Sequence, residues 1–190
     1  MRLILASASP RRLDLLARIG VEVAAVDPAE IDETPLPHEK PADYARRIAA
    51  AKAAIVASRH PGDVILAADT VVAAGRRILP KAVDADEVRA CMTLLAGRRH
   101  HVLSAVTVVD ASGVARHRLS DTVVTFGPLS TATIAAYSES GEGIGKAGGY
   151  AIQGRAEAFV RALAGSHSGV VGLPLFETRA LLLSAGIALG

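Results

Sequence analysis

Between Leu3 and Arg12 the sequence runs Leu-Ile-Leu-Ala-Ser-Ala-Ser-Pro-Arg-Arg, which places two guanidiniums at a helix start. The apolar run from Leu3 to Ala6 reads as a buried strand, Ser9 as an N-cap and Pro10 as the first helical residue, where a missing N–H costs nothing. A helix N-terminus favours anions, and the forked donors of Arg11 and Arg12 match phosphate oxygens in pairs. The chemistry this implies is a grip on phosphate or polyphosphate; the plainer alternative is a helix start with two solvated arginines. Asp69 is the second signal. Val64 to Ala68 is continuously apolar and Val71-Val72 resumes the run, so Asp69 interrupts a buried strand. An unpartnered buried carboxylate costs several kcal/mol, so Asp69 must be paired, bound to metal or functional.

The elements that position these residues follow from periodicity and punctuation. Leu13, Leu16 and Ile19 recur at helical spacing and Gly20 stops that helix; Val21 to Val26 then reads as a second strand. Asp27 to Lys40 carries Pro28, Pro35 and Pro37 with Asp27, Glu30, Asp32 and Glu33, and is a loop, either a surface connector or a functional flap. Pro41 opens a long helix to about His60 with Tyr44, Ile48, Lys52, Ile55 and Val56 near one stripe. Lys52 thus leans toward the packed side, which by itself fits a stem snorkelling past the core. Asp84 and Glu87 form a capping box for a helix through Leu95. Residues 102–109 and 114–126 predict a hairpin, followed by a short helix from Ser130 to about Tyr137 and a glycine-rich loop over 141–149. A strand over 158–163 and a last helix from Pro174 complete the chain.

The 190 residues predict one domain spanning 1–190, able to bury roughly 70% of its unfolded surface. With 51% hydrophobic residues, 3% aromatic and no Trp, the core is aliphatic, as in a sheet covered by helices. A net charge of +2 gives no broad cationic field, which argues against a nucleic-acid polymer as partner. The lone Cys91 excludes an internal disulfide and fits a reducing compartment and a buried position. No apolar run reaches membrane-spanning length, so a cytoplasmic protein without membrane association is expected. Three apparent motifs fail on physical grounds. Gly143-Ile144-Gly145-Lys146-Ala147-Gly148 has the glycines of a dinucleotide fingerprint but no strand before it or helix after it. Ser166-His167-Ser168 reads as a polar turn, since loop neighbours seldom face each other. His100 and His101 point to opposite faces of a strand, and with the other histidines scattered a zinc site is not expected.

Five segments remain: Ser7-Ala8-Ser9-Pro10-Arg11-Arg12; Lys52; Ala68-Asp69-Thr70-Val71-Val72; Lys81; and Gly145-Lys146-Ala147-Gly148-Gly149-Tyr150-Ala151-Ile152-Gln153-Gly154-Arg155. In this order, and with Ser168-Gly169-Val170-Val171-Gly172-Leu173-Pro174 closing the series, they resemble the Maf family along the whole chain. The resemblance implies an α/β fold, a curved mixed sheet flanked by helices with a central cleft as in the ITPase-like pyrophosphatases. It also implies cleavage of a nucleoside triphosphate between its α and β phosphates with a divalent metal, Mg²⁺ or Mn²⁺. Asp69, Lys52 and Lys81 would be catalytic, and Ser7, Arg11, Arg12, Thr70 and Gln153 would bind substrate. Asp69 would accept the proton of the attacking water or ligate the metal, with Glu33 as a second carboxylate. A homodimer is implied as well, the hairpin of residues 102–126 offering edge strands for pairing. Elementary chemistry is consistent, because Arg11, Arg12, Lys52 and Lys81 would neutralise charge developing in phosphoryl transfer.

Arg11, Thr70 and Gln153 resemble the branch of the family that takes dTTP and UTP. A glutamine amide offers both donor and acceptor, complementing the N3–H and carbonyls of uracil or thymine. One unsatisfied buried group costs ~1–3 kcal/mol, so Gln153 would bias choice by roughly ten- to a hundredfold and leave modified pyrimidine nucleotides acceptable. The chain departs from the family at Pro80-Lys81-Ala82, where Gly-Lys-Pro is common. Proline at this position has no N–H to offer a phosphate, while the side-chain role of Lys81 is unaffected. The alternative reading is a non-catalytic nucleotide-binding regulator of cell division.

Overall fold

A computed structural model describes residues 2–188. The strands are β1 (Leu3–Leu5), β2 (Ala25–Val26), β3 (Val64–Ala74), β4 (Arg77–Leu79), β5 (Arg99–Val109), β6 (Ala115–Phe126) and β7 (Val160–Ala164). The helices are α1 (Pro10–Ala17), α2 (Pro41–Arg59), α3 (Ala85–Leu95), α4 (Thr131–Glu139), α5 (His167–Val171) and α6 (Leu175–Ser184), with a 3₁₀ turn at Arg155–Phe159. They form the expected α/β architecture, a seven-stranded mixed sheet in the order β2-β1-β3-β5-β6-β7 with β4 paired on β3. β1 runs parallel to β2 and β3; the β3–β5, β5–β6 and β6–β7 ladders are antiparallel.

Because successive side chains of a strand face opposite ways, β3 feeds apolar packing on both of its faces. Ile65, Ala67 and Val71 pack with α2 residues Ala53, Val56, Ala45, Ile48 and Ala49, whereas Leu66, Ala68 and Val72 join the larger core built with α1, α3, α4 and α6. The alanines on α2 keep that helix close to the sheet. The β1 ladder ends at Leu66, and the β4 ladder begins at Val72 on the same side of β3. Residues 67–71 therefore have no strand neighbour there among the described residues. That interruption is where the sheet opens.

Several expectations shift for identifiable reasons. The strand over Val21–Val26 shrinks to Ala25–Val26, because β1 is three residues long and offers a partner only to Ala25 and Val26. The strand over 158–163 starts later, at Val160, after a 3₁₀ turn entered through the Glu157 N–H to Gly154 carbonyl bond. The Ser166-His167-Ser168 turn opens α5: Ser166 Oγ accepts from the Gly169 N–H at 3.0 Å, and His167 is exposed. The hairpin is longer than read, and β5 is interior rather than an edge. β6 pairs β7 only through residues 123–126, leaving residues 115–122 open on one side, where Arg118 donates to the carbonyl of His117. No described helix is long and apolar enough to cross a membrane.

The loop before β7 lies hard against β3. Gly148 sits at φ +67°, and a Cβ there would stand 2.7 Å from Val72 Cγ1. Gly148→Ala combines a left-handed penalty with overpacking and should destabilise by about 2 kcal/mol or more, read as a lower urea midpoint with an unchanged slope.

Candidate active site

Asp69 lies in the interrupted stretch of β3 and is 3% exposed. Its side chain faces α2, and Lys52 Nζ donates to Asp69 Oδ1 at 3.0 Å. The same ammonium is 2.6 Å from Glu33 Oε1, and Glu33 Oε2 accepts from Lys81 Nζ at 2.6 Å. Four charges from a loop, a helix, a strand and a β-bridge thus form one chain, Asp69–Lys52–Glu33–Lys81. Lys52 does not snorkel; its ammonium is drawn inward because two carboxylates lie within its reach. Tyr44 Oη donates to the Glu33 carbonyl at 2.7 Å, tying the 27–40 segment to α2. Of the two readings open from sequence, a surface connector or a functional flap, the segment is not merely a solvated connector, since it carries Glu33 to Lys52.

Lys81 is held by backbone. It bridges to Ala147; the Gly148 N–H donates to the Pro80 carbonyl at 2.9 Å, and Gly145 N–H to the Ala82 carbonyl at 2.7 Å. Proline is tolerated at position 80 because only its carbonyl is used. On the other face of β3, Thr70 Oγ1 is 2.9 Å from Ser104 Oγ, which donates to the Gly169 carbonyl. Arg12 Nε donates to the Gly172 carbonyl at 2.9 Å and its Nη1 to Ser7 Oγ at 2.7 Å. Ser9 holds the N-cap position of α1 in extended geometry but makes no side-chain cap bond, so the first amides of α1 are left without that acceptor.

These groups line one cleft of about 380 Å³ that contains Ser7, Arg11, Arg12, Glu33, Lys52, Asp69, Thr70, Lys81 and Gln153 together. Every site residue named from sequence therefore converges. Lys146 also lines the cleft and was overlooked as a site residue, although it stands in the quoted Gly145–Arg155 segment; the signal was a lysine among glycines. Among the described residues the Arg11 guanidinium has no hydrogen-bond partner, and Lys146 Nζ has only a 3.4 Å approach to the Ile144 carbonyl. Burial lowers the pKa of Arg12 against the opposing pull of Asp69, and burial lowers Arg11 also, though guanidinium stays charged. Lys146 is lowered first by burial and then by the Arg11 charge. Burial pushes the Glu33 carboxyl upward, but hydrogen bonds from Lys52 and Lys81 outweigh it and hold Glu33 below the usual glutamate range.

The rejected motifs lack the geometry their patterns suggest, although Gly145, Lys146 and Ala147 of the first line the cleft. Residues 143–148 form a loop rather than a strand-to-helix turn, and His100 is buried while His101 is exposed, on opposite faces of β5. No cluster of three or more His, Cys, Asp or Glu side chains suited to a metal occurs among the described residues. Asp69 and Glu33, joined through Lys52, are the two carboxylates of the cleft.

The family described as Maf-like protein matches residues 2–185. A protein of Sphingopyxis alaskensis named dTTP/UTP pyrophosphatase is 63% identical over 188 residues, covering 99% of this chain and 98% of that one. One of the same name from Rhodospirillum rubrum is 59% identical over 184 residues, covering 97% and 88%. Among solved structures, a nucleoside-triphosphatase / dITP/XTP pyrophosphatase from Mycobacterium abscessus overlays 68% of this chain and 76% of that one, with 21% identity and a TM-score of 0.46.

Two outcomes follow from the charge chain. Lys52→Met leaves Asp69 and Glu33 without their shared cation and should cost about 3–5 kcal/mol in chemical denaturation, the range for breaking a buried pair from one side. Glu33 has a depressed carboxyl, so its contribution is present above the unfolded glutamate pKa and fades as pH falls through the folded value. The stability gap between the protein and Glu33→Gln should accordingly be full at neutral pH and close in acid, below the ordinary glutamate value of 4.5.

Proposed function

The chain belongs to the Maf family, and from that premise we propose that it hydrolyses dTTP and UTP to the nucleoside monophosphate and pyrophosphate. The observation that carries the reading is the buried Asp69–Lys52 pair opening into a cleft that also holds Arg11, Arg12, Lys81 and Lys146. Relatives at 59–63% identity carry the name dTTP/UTP pyrophosphatase, which supports the choice of substrate.

In this reading the triphosphate lies across the gap in the sheet, with Arg11 and Arg12 drawing it to the start of α1. Water attacks the α-phosphorus, the bond to the bridging oxygen breaks, and pyrophosphate departs against the cations. Asp69 has Oδ1 engaged by Lys52, and Oδ2 has no partner among the described residues. That free oxygen is the acceptor for the water's proton or a ligand for metal, and Lys52 on Oδ1 leaves it turned to the cleft for either role. Lys52 and Lys81 hold the two carboxylates in place and offer positive charge to the transition state. Asp69 and Glu33 would hold a divalent ion, Mg²⁺ or Mn²⁺, an ion that takes one or two carboxylates plus phosphate oxygens, and it would neutralise phosphate charge. Gln153 faces the nucleobase, and Thr70, through Ser104, braces the segment that carries the Gly172 carbonyl. Ser7 orients Arg12.

The proposal treats residues 1–190 as one catalytic unit acting as a cytoplasmic homodimer. The lone buried Cys91 supports a reducing compartment, and the open side of residues 115–122 is a place for a second copy.

With Mg²⁺ and a panel of triphosphates, pyrophosphate should be released fastest from dTTP and UTP, and chelation of the metal should stop it. Orthophosphate release, or tight binding with no product, would reject the assignment. Asp69→Asn should lower kcat by ~100- to 10,000-fold while nucleotide affinity changes little.

A further inference from the structure

If Gln153 chooses the base, something must hold it, because its side chain is exposed and has no hydrogen-bond partner among the described residues. The backbone around it is tied at both ends. Before it, the Ala151 N–H donates to Tyr137 Oη at 3.2 Å, and Tyr137 is 3% exposed. Ile152 is buried, and the Gly154 N–H closes a turn onto the Ala151 carbonyl at 3.0 Å. After it, Glu142 Oε2 accepts from the Arg155 N–H at 3.0 Å and Oε1 from the Ala156 N–H at 3.4 Å. A Cβ on Gly154 would lie 2.6 Å from Glu142 Cδ and Oε2, so the carboxylate rests flat against that α-carbon. Between the two anchors Ala151 and Gln153 line the cleft, and Gln153 carries the only polar side chain of residues 151–154.

We propose that Glu142 is a positioning residue for Gln153: its clamp on the Gly154–Ala156 backbone fixes how far the amide stands from the phosphate grip, and so fixes the ring size that fits. This rests on the reading of Gln153 as the base-facing residue. An amide can rotate to exchange donor and acceptor, but it cannot retreat if its backbone is pinned. Uracil presents O4 and N3–H; hypoxanthine presents O6 and N1–H in the same order on a fused double ring, further from the sugar. Inosine triphosphate against UTP therefore isolates reach from hydrogen-bond pattern. Positional tolerance at such a contact is about 0.5 Å, far less than the difference in ring size.

The test compares the protein with Glu142→Ala, Glu142→Gln, Gln153→Ala and the Glu142→Ala/Gln153→Ala double variant. UTP and inosine triphosphate are compared by kcat/KM and by dissociation constant, so the preference is readable even where turnover is absent. Glu142→Ala should cut the preference for UTP about tenfold, Glu142→Gln, which keeps one acceptor oxygen, should recover much of it, and the double variant should be no less selective than Gln153→Ala alone. Folding is checked by thermal melting, and if Glu142→Ala does not fold, Glu142→Ser, whose hydroxyl is too short to reach both amides, takes its place and should show the same roughly tenfold loss. An unchanged ratio in the folded alanine or serine variant overturns the proposal. So does an equal loss for both nucleotides, which would mark Glu142 as an electrostatic partner of Lys146. Loss of selectivity additive with Gln153→Ala overturns it too. Absence of hydrolysis by the unaltered protein would instead sink the proposed reaction, while the binding ratios would still judge the clamp.

Discussion

Everything in the cleft depends on one ammonium between two carboxylates. Taking Asp69 out of water into a sheet is unfavourable by several kcal/mol, and only a close, well-directed cation offsets that. Lys52 does so at 3.0 Å because α2 approaches the sheet through Ala45, Ala49 and Ala53. Larger side chains at those positions would lift the helix and move the ammonium away from Asp69. The alanine content of α2 is thus a condition for the charge, and Glu33 on the far side of Lys52 adds the loop to the same constraint.

The second condition is the break in the sheet. A continuous ladder on both sides of β3 would enclose Asp69 within hydrogen-bonded strands. β1 stops at Leu66 and β4 begins at Val72, so the strand is paired by β5 along its length but open to the cleft over residues 67–71. Alternation then distributes the work. Asp69 turns toward α2 and its lysine, while Thr70 turns toward Ser104 and the Gly172 carbonyl that also receives Arg12. One strand thus presents polar groups on both of its faces beside the cleft.

This division explains what was legible in the sequence. Asp69 announced itself as a charge in an apolar run, and Ser9-Pro10-Arg11 as a helix start, because both signals are local. That Asp69 and Lys52 share one site came only from the family resemblance; Lys52 alone reads as a snorkelling stem, since nothing in its own helix tells which acid lies opposite. Glu33 was one acid among several in a loop; only the closeness of Lys52 and Lys81 distinguishes it. The lengths of β2 and β7 were misread for the same reason. Ala25–Val26 is short because its partner is short, and the start of β7 is set by a 3₁₀ turn whose carboxylate clamp comes from Glu142, distant from it in sequence. Lys146 was hidden by a glycine pattern that invites a dinucleotide story and has none of its geometry.

The cations of the cleft fall into two sets, and the difference bears on how a polyanion is both held and cleaved. Arg12, Lys52 and Lys81 are already engaged with Ser7, Gly172, Asp69 and Glu33, so their positions are set before any ligand arrives. Among the described residues Arg11 and Lys146 have no acid partner within salt-bridge distance, and the Arg11 charge pushes the Lys146 ammonium in the same direction as burial does. Two like charges facing one cleft repel each other. In the proposed reading a polyphosphate would relieve that repulsion on entry, its binding drawing on Arg11 and Lys146 while the engaged set keeps its geometry. Groups that need not move when the ligand arrives are the ones able to stabilise charge as it develops, because their reorganisation was completed in folding. The sheet gap, the alanine-faced helix and the loop acid serve that requirement together.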